Sequence, residues 1–244
     1  MTPATDAPAA PAAPAAPASS AGPLPAPAAP GTAPDRGGPA PAPSRDPVPA
    51  SVPRPPRVAV IVGSNREGRF GPVVADWLLG HLGDRADLVA DVVDTADTRL
   101  PTALSHSPSP EVAAELAKVT PKLADAEAFV VLTPEYNHSF PAALKALVDW
   151  HYAEWRAKPV AFVSYGGVSG GLRAVEQLRQ VFAELHAVTV RDSVSFHNAG
   201  ASFDELGRHR DPAAADAAAK VMLDRLVWWA LALRDAKSVR PYEG

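Results

Sequence analysis

The chain has 244 residues, and 23 lysines and arginines stand against 27 aspartates and glutamates, giving a formal net charge of −4. Domains that bind duplex nucleic acid are usually basic, so nucleic acid is not an expected partner. The absence of cysteine excludes disulfides, thiolate nucleophiles, iron–sulfur clusters and cysteine-built zinc sites.

Residues 1–56 differ in composition from the rest of the chain, with 18 of the 28 prolines and no aromatic residue. Such a segment cannot bury enough apolar surface to offset an ordering entropy of about 1–2 kcal/mol per residue. We therefore predict a disordered Pro/Ala-rich tail over 1–56 and one domain over 57–244.

No secretory signal is evident, and the longest apolar run, 226–233, is too short to span a membrane. A soluble cytoplasmic protein without membrane contact is expected.

After the tail, five short apolar segments alternate with five segments of helical character. The apolar segments, which predict strands, are 57–62, 88–93, 128–132, 160–163 and 188–194. The predicted helices are 72–82, 110–125, 141–152, 171–186 and 211–237. Continuous apolar runs of this length suit strands buried on both faces of a parallel sheet. The pattern predicts a flavodoxin-like α/β fold, a doubly wound five-stranded sheet of order 2-1-3-4-5 whose ligands lie at the carboxyl ends of strands one, three and four.

The loop after the first strand, residues 63–71, reads Gly-Ser-Asn-Arg-Glu-Gly-Arg-Phe-Gly and combines several groups that bind phosphate. It offers the hydroxyl of Ser64, the guanidinium groups of Arg66 and Arg69, three glycines and the positive end of the following helix dipole. Neither a Gly-x-Gly-x-x-Gly motif nor a P-loop is present. The sequence predicts a phosphate site here, with an ordinary glycine turn and surface arginines as the alternative.

Two further loops follow the third and fourth predicted strands. Residues 133–141 contain prolines at positions 134 and 141, which restrict the backbone of a loop that could hold the polar edge of a planar ring. A simple turn with a capping serine is the alternative. Residues 164–171 contain four glycines in six positions, which allow close approach of a flat ligand.

The third loop also permits a different chemistry. Residues 167–171, Gly-Val-Ser-Gly-Gly, fit the Gly-x-Ser-x-Gly nucleophile elbow of serine hydrolases. Ser169 would then be the nucleophile, with Asp192 as the acid and His197 or His209 as the base. Three residues separate the predicted strand from this motif, and no His-Gly-Gly oxyanion motif precedes it, so both features disfavour the hydrolase alternative.

Taken together, the three loops resemble those of the NADPH-dependent FMN reductase family, which includes quinone, azo-dye and chromate reductases. The matching residues are Gly63-Ser64-x-Arg66, Pro134-Glu135-Tyr136-Asn137, Leu144-Lys145 and Ser164-Tyr165-Gly166-Gly167. The resemblance implies an enzyme that transfers hydride from NADPH or NADH through bound FMN to a small acceptor. Quinones, azo compounds, free flavins and metal oxyanions are the implied acceptors, and a non-enzymatic flavodoxin-type electron carrier is an alternative.

The resemblance also implies a cofactor site. It places the FMN phosphate on Ser64, Arg66 and the helix amides near Phe70 and Gly71. The isoalloxazine would lie against Pro134, Glu135, Tyr136, Asn137, Ser164, Tyr165, Gly166 and Gly167. Many members carry another hydroxyl or amide where this chain has Arg69 and Gly71, so Arg69 either makes that contact or faces solvent. No catalytic side chain and no metal are assigned, because the flavin itself accepts the hydride. A homodimer or homotetramer is expected.

Overall fold

The computed structural model describes residues 54–243, and the predicted tail up to residue 53 lies outside this range. Its five strands are β1 (Arg57–Val62), β2 (Val89–Asp94), β3 (Ala128–Pro134), β4 (Pro159–Tyr165) and β5 (Val188–Phe196). All neighbouring strands pair in parallel, in the order β2-β1-β3-β4-β5. The predicted flavodoxin-like doubly wound sheet is confirmed.

Helices cover both faces of the sheet. They are α1 (Gly71–Gly83), α2 (Pro110–Asp125), α3 (Ala142–Asp149), α4 (Leu172–Glu184), α5 (Ala199–Ser202) and α6 (Pro212–Val239). Helices α1 and α6 pack on one face, and α2, α3 and α4 pack on the other. None of the helices within residues 54–243 is both long and apolar enough to cross a membrane.

The continuous apolar character of the central strands follows from this layering. In β1, Val58 and Val60 pack towards α1 and α6, whereas Ala59 and Ile61 pack towards α2 and α3. Successive side chains of a strand point to opposite faces, so each residue needs an apolar side chain when both faces are covered. The edge strand β2 leaves Val89 exposed, which explains its weaker apolar pattern.

Two features of the structure differ from the sequence prediction. The third helix ends at Asp149 rather than at residue 152. Directly after its end, the Trp150 indole donates a hydrogen bond to the Pro101 carbonyl (2.7 Å). A short 3₁₀ turn, Ala153–Trp155, follows it. Helix α5 was not predicted, because its four residues are too few to show a helical period.

Candidate functional site

The carboxyl ends of β1, β3 and β4 meet at one edge of the sheet, so the three loops that follow them lie together. We call them loop 1 (63–70), loop 2 (135–141) and loop 3 (166–171). Gly63 starts loop 1 and donates its amide to the Leu132 carbonyl of β3 (2.8 Å). A Cβ at this position would lie 3.0 Å from both that oxygen and the Leu144 side chain, so the tight junction requires glycine.

Loop 1 is joined to loop 2 by a hydrogen bond between two hydroxyls. Ser64 is fully buried, and its Oγ lies 2.5 Å from Tyr136 Oη. Arg66 is exposed, with its guanidinium 5.8 Å from the centre of the Tyr136 ring. Helix α1 begins directly after loop 1, with Pro72 in its first turn, so its positive dipole end is directed at the same place. This arrangement suits an anion.

Arg69 occupies a position that the sequence prediction did not foresee. Its guanidinium donates a hydrogen bond to the Ser64 carbonyl (2.6 Å). It also forms a bidentate ion pair with the carboxylate of Asp94 at the end of β2, in which Nη2 lies 2.7 Å from Oδ2. Both side chains are less than a fifth exposed. Asp94 also accepts a bond from the Ala96 amide (2.9 Å). Arg69 thus fixes the backbone of loop 1 to β2 instead of facing solvent.

The aromatic residues at this edge pack beneath loop 1. The Phe70 ring contacts the rings of Tyr165 and Phe203, which leaves only its backbone for a polar ligand. Tyr165 ends β4 and is directed at the start of α1, where a Cβ on Gly71 would lie 3.0 Å from the phenol oxygen. Glycine at position 71 is therefore needed for this close approach. Burial raises the pKa of the Tyr165 phenol, so the hydroxyl keeps its proton.

Loop 2 is a tight turn held from both sides. Tyr136 and Ser139 exchange backbone hydrogen bonds of 2.8 and 3.1 Å, and the two residues between them, Asn137 and His138, have φ angles of +50° and +73°. This is the backbone pattern of a two-residue hairpin turn, which asparagine tolerates well. Gln177 of α4 donates to the His138 carbonyl (2.9 Å). Hydrogen bonds within loop 2 and to α4 therefore fix its backbone.

The carboxylate of Glu135 in loop 2 already has hydrogen-bond donors within the protein. Arg173 of α4 donates its Nε to Glu135 (2.6 Å) and its backbone amide to the other carboxylate oxygen (3.2 Å). Burial raises the pKa of Glu135, but the bonds from Arg173 outweigh this and hold the pKa below its usual value. Glu135 thus stays ionised and paired. Pro134 lacks an amide proton, so the groups of loop 2 that remain for a ligand are mainly backbone atoms and Tyr136.

Loop 3 is likewise fastened by its own polar groups. Ser164 is fully buried and donates to the Gly170 carbonyl (2.8 Å). The Gly166 carbonyl accepts a bond from the Ala199 amide (3.0 Å) and the Gly167 carbonyl accepts one from the Asn198 amide (2.8 Å), both at the start of α5. Gly170 and Gly171 have φ angles of +60° and +83°. Helix α5 therefore supports loop 3, and Gly167 is exposed at its surface.

The hydrolase alternative finds no support in this geometry. Ser169 faces the Glu135 carboxylate, and within the described part of the chain no hydrogen bond joins its hydroxyl to a histidine. His197 and His209 each donate Nδ1–H to a backbone carbonyl (2.7 and 2.6 Å). Asp192 lines a separate surface depression beside α6. These groups do not form a triad.

A cleft of about 610 Å³ opens between loop 1, loop 2 and the segment after β2. Two predicted site residues, Arg66 and Tyr136, line it. The sequence analysis missed its other members, among them Asn65, Thr95, Thr98, Arg99, Thr102 and Ala143. The signal that could have found them is topological, because the segment after β2 starts at the same sheet edge as the other loops.

These residues fit the phosphate of the cofactor that the resemblance implies. Loop 1 brings a buried serine hydroxyl, a free guanidinium and a helix N-terminus to one place, and Tyr165 Oη is a buried hydroxyl without a hydrogen-bond partner among residues 54–243. The carboxylates of Asp94 and Glu135, on the neighbouring segments, are paired with arginines, and Glu67 of loop 1 is exposed. A dianion at this position would meet several hydrogen-bond donors.

The three loops lie within a region of the chain that matches a known protein family. The model of a family described as NADPH-dependent FMN reductase matches residues 56–201. An NAD(P)H-dependent FMN reductase of Schizosaccharomyces pombe is 37% identical over 134 residues, which cover 52% of this chain and 65% of that protein. A 2-hydroxy-1,4-benzoquinone reductase of a Burkholderia species is 34% identical over 138 residues, covering 54% and 73% of the two chains.

A solved structure supports the fold independently. The structure of FerB, a flavoenzyme NAD(P)H:(acceptor) oxidoreductase from Paracoccus denitrificans, superposes with a TM-score of 0.54 and 22% identity, over 72% of this chain and 97% of that one. Identity this low shows a shared fold alone. The family description and the S. pombe protein's name both give FMN and a nicotinamide dinucleotide, which confirms the predicted cofactors at the level of the family. The family model spans more than half of the chain, which therefore belongs to the NADPH-dependent FMN reductase family.

Proposed function

We propose that this protein binds FMN and uses NADPH or NADH to reduce a small-molecule acceptor, with quinones as the favoured class. The observation that carries the proposal is the donor cluster of loop 1, where a buried Ser64 hydroxyl, the exposed Arg66 guanidinium and the N-terminus of α1 converge. The quinone preference is supported by the Burkholderia relative, whose name specifies a benzoquinone. A homo-oligomer and a cytoplasmic location stay predictions from the sequence.

In this proposal the chain's residues hold the two ends of FMN by different means. Ser64, Arg66 and the amides of Phe70 and Gly71 hold the phosphate. The backbone of residues 134–137 and of Gly166 and Gly167 holds the ring. The carboxylate of Glu135 and the hydroxyl of Ser164 do not bind the ring directly, because both are already hydrogen-bonded within the protein. Arg69 acts by fixing loop 1.

Bound FMN supplies the chemistry, because its ring accepts a hydride and can pass electrons to a second substrate. The chain contributes orientation and exclusion of water. It needs no nucleophile, and no side chain of loops 1 to 3 is proposed as a general acid or base. The cleft between loop 1, loop 2 and the segment after β2 is large enough for a small aromatic acceptor to approach from that side.

The proposal is tested by removing Arg66 and Ser169 separately. Arg66→Ala deletes a charge-assisted contact worth about 1.5–3 kcal/mol, so FMN affinity should fall about ten- to two-hundredfold. Flavin fluorescence titration of the apoprotein measures this. Arg191→Ala is the matched control, because Arg191 is 95% exposed on β5 and should leave affinity unchanged.

The same variants distinguish the oxidoreductase from the hydrolase. Ser169→Ala should reduce nicotinamide-dependent quinone reduction only modestly. If Ser169 were a nucleophile, its loss would abolish hydrolysis of activated esters while Arg66→Ala left that activity intact. An Arg66→Ala protein with full FMN affinity would refute the assignment of loop 1.

A further inference from the structure

The hydroxyl of Tyr165 is an unusual group in this structure. Among residues 54–243, three buried side-chain nitrogen or oxygen atoms lack a hydrogen-bond partner, and Tyr165 Oη is the one at the functional edge of the sheet. The residue is only 5% exposed. A buried hydroxyl without a partner destabilises a protein, and native structures contain few such groups. A phenylalanine would fill the same space without that cost, so the hydroxyl calls for a function.

The position of this hydroxyl suggests which ligand it serves. It is directed at the first turn of α1, where a Cβ on Gly71 would lie 3.0 Å from it. The Ser64 hydroxyl and the charges of Arg66 and Arg69 are close enough to lower its pKa, against the larger opposite effect of burial. These are the groups that surround the proposed phosphate position. Burial nevertheless keeps the phenol protonated, so it is a hydrogen-bond donor.

The number of hydroxyl protons at this position also favours a phosphate ligand. Ser64 and Tyr136 have one hydroxyl proton each, and the bond between them uses one of the two. By its distances and angles, the Ser64–Tyr136 bond is the one hydrogen bond among the three hydroxyls of Ser64, Tyr136 and Tyr165, so two of their three protons have no acceptor among residues 54–243. A phosphate dianion has three terminal oxygens that accept hydrogen bonds, so it can use both.

We propose that the Tyr165 hydroxyl donates a hydrogen bond to the phosphate of FMN from beneath α1. This role differs from the ring contact that the family resemblance implies for the residue. It rests on the proposed function, because it presumes that loop 1 holds the FMN phosphate. Among residues 54–243 the hydroxyl has no hydrogen-bond partner by distance and angle, and the phosphate would become its partner on binding.

The test compares FMN with riboflavin, which has the same ring and ribityl chain but no phosphate. Tyr165→Phe should weaken FMN binding to the apoprotein about tenfold or more and change riboflavin binding less than about twofold. Tyr152→Phe is the matched control and should alter neither affinity, because Tyr152 is 49% exposed and its ring contacts Arg156 and His186 rather than loop 1. The melting temperature of the Tyr165→Phe apoprotein should be equal to or higher than that of the wild type, because an unpaired buried group has been removed.

Three results would overturn the inference. Unchanged FMN affinity would show that the hydroxyl does not reach the phosphate, and an equal loss for both flavins would place its effect at the ring or on the whole site. A lower melting temperature of the apoprotein would show that the hydroxyl already has a partner, such as a bound water, in the free protein. A wild-type protein that binds neither flavin would instead refute the proposed function, so the two failures are distinguishable.

Discussion

The pair formed by Arg69 and Asp94 offers a quantitative test of how loop 1 is held. Arg69→Met removes the guanidinium but keeps most of the apolar stem. It deletes both hydrogen bonds to the Asp94 carboxylate and the 2.6 Å hydrogen bond to the Ser64 carbonyl. Breaking a fully buried pair costs about 3–5 kcal/mol, and exposed pairs contribute about 0–1 kcal/mol. Because these side chains are 18% and 17% exposed, we expect a loss in unfolding free energy of about 2 kcal/mol.

The same substitution should affect cofactor binding through the loop. Without the bond to Arg69, the Ser64 backbone is no longer fixed to β2, and ordering it must occur during binding. We expect FMN affinity to fall about tenfold, or about 1.4 kcal/mol, and riboflavin affinity to change little. Arg69→Lys should give an intermediate result, because lysine keeps the charge but not the two-pronged geometry.

Urea denaturation of the apoprotein and fluorescence titration with both flavins measure these effects, and Asp94→Asn completes a double-mutant cycle. The cycle should show a coupling free energy of about 1–2 kcal/mol for stability. Additive effects of the two substitutions would show that the pair does not hold the loop. A loss of FMN affinity above about a hundredfold in Arg69→Met, with stability unchanged, would instead place the guanidinium on the phosphate itself.

Three further predictions concern pH, backbone conformation and the tail. Burial lowers the pKa of Lys158 from 10.5 to about 8, so between these two pH values the unfolded chain binds more protons than the folded protein. The unfolding free energy of the wild type, measured relative to that of Lys158→Met, should therefore rise between about pH 8 and pH 10. Urea denaturation of both proteins at several pH values measures this difference. Gly170→Ala should destabilise the protein by about 1–3 kcal/mol, because φ is +60° and a Cβ would overlap the Ser195 hydroxyl. Gly80→Ala, at an exposed position of α1, should instead stabilise the protein by about 0.5–1 kcal/mol. Melting temperatures equal to that of the wild type in both variants would contradict these predictions. Deleting residues 1–53 should leave the melting temperature and FMN affinity nearly unchanged, since their composition offers little to pack, and a large loss of either would show that the tail docks on the domain.

The fold was predictable because its signal is local. Each central strand is a continuous apolar run, and each following helix has its own periodicity, so the order of elements could be read directly along the chain. The parallel order then follows from the connections, since right-handed crossovers restrict the possible topologies. The end of α3 was less predictable, because the Trp150 indole bonds to a carbonyl 49 residues earlier.

Side-chain roles at the site were harder to predict, because they depend on partners far along the chain. Glu135 and Ser164 have the chemistry of ligands, but Arg173 and the Gly170 carbonyl bind them in the folded protein. The partner of Arg69, Asp94, lies at the end of an edge strand that the loop analysis did not consider. A sequence shows which groups are present at a sheet edge, whereas only the fold shows which of them are already paired.

This distribution of partners has a consequence for how substitutions should act. Several polar side chains of loops 1 to 3 hold backbone in place, so under the proposed function the ring would be bound mainly by that backbone. Because the cofactor would then supply the redox chemistry, the protein's main contribution would be a site that is ordered before the ligand arrives. Substitutions of supporting residues such as Gln177 and Arg173 should therefore change flavin affinity more than the rate of reduction in the flavin-loaded protein. Residues lining the cleft beside loop 1, such as Thr98 and Arg99, should affect the choice of acceptor or donor instead. Within residues 54–243 their side chains make no hydrogen bond to loops 1 to 3, and they line the cleft through which a second substrate would approach under the proposed function.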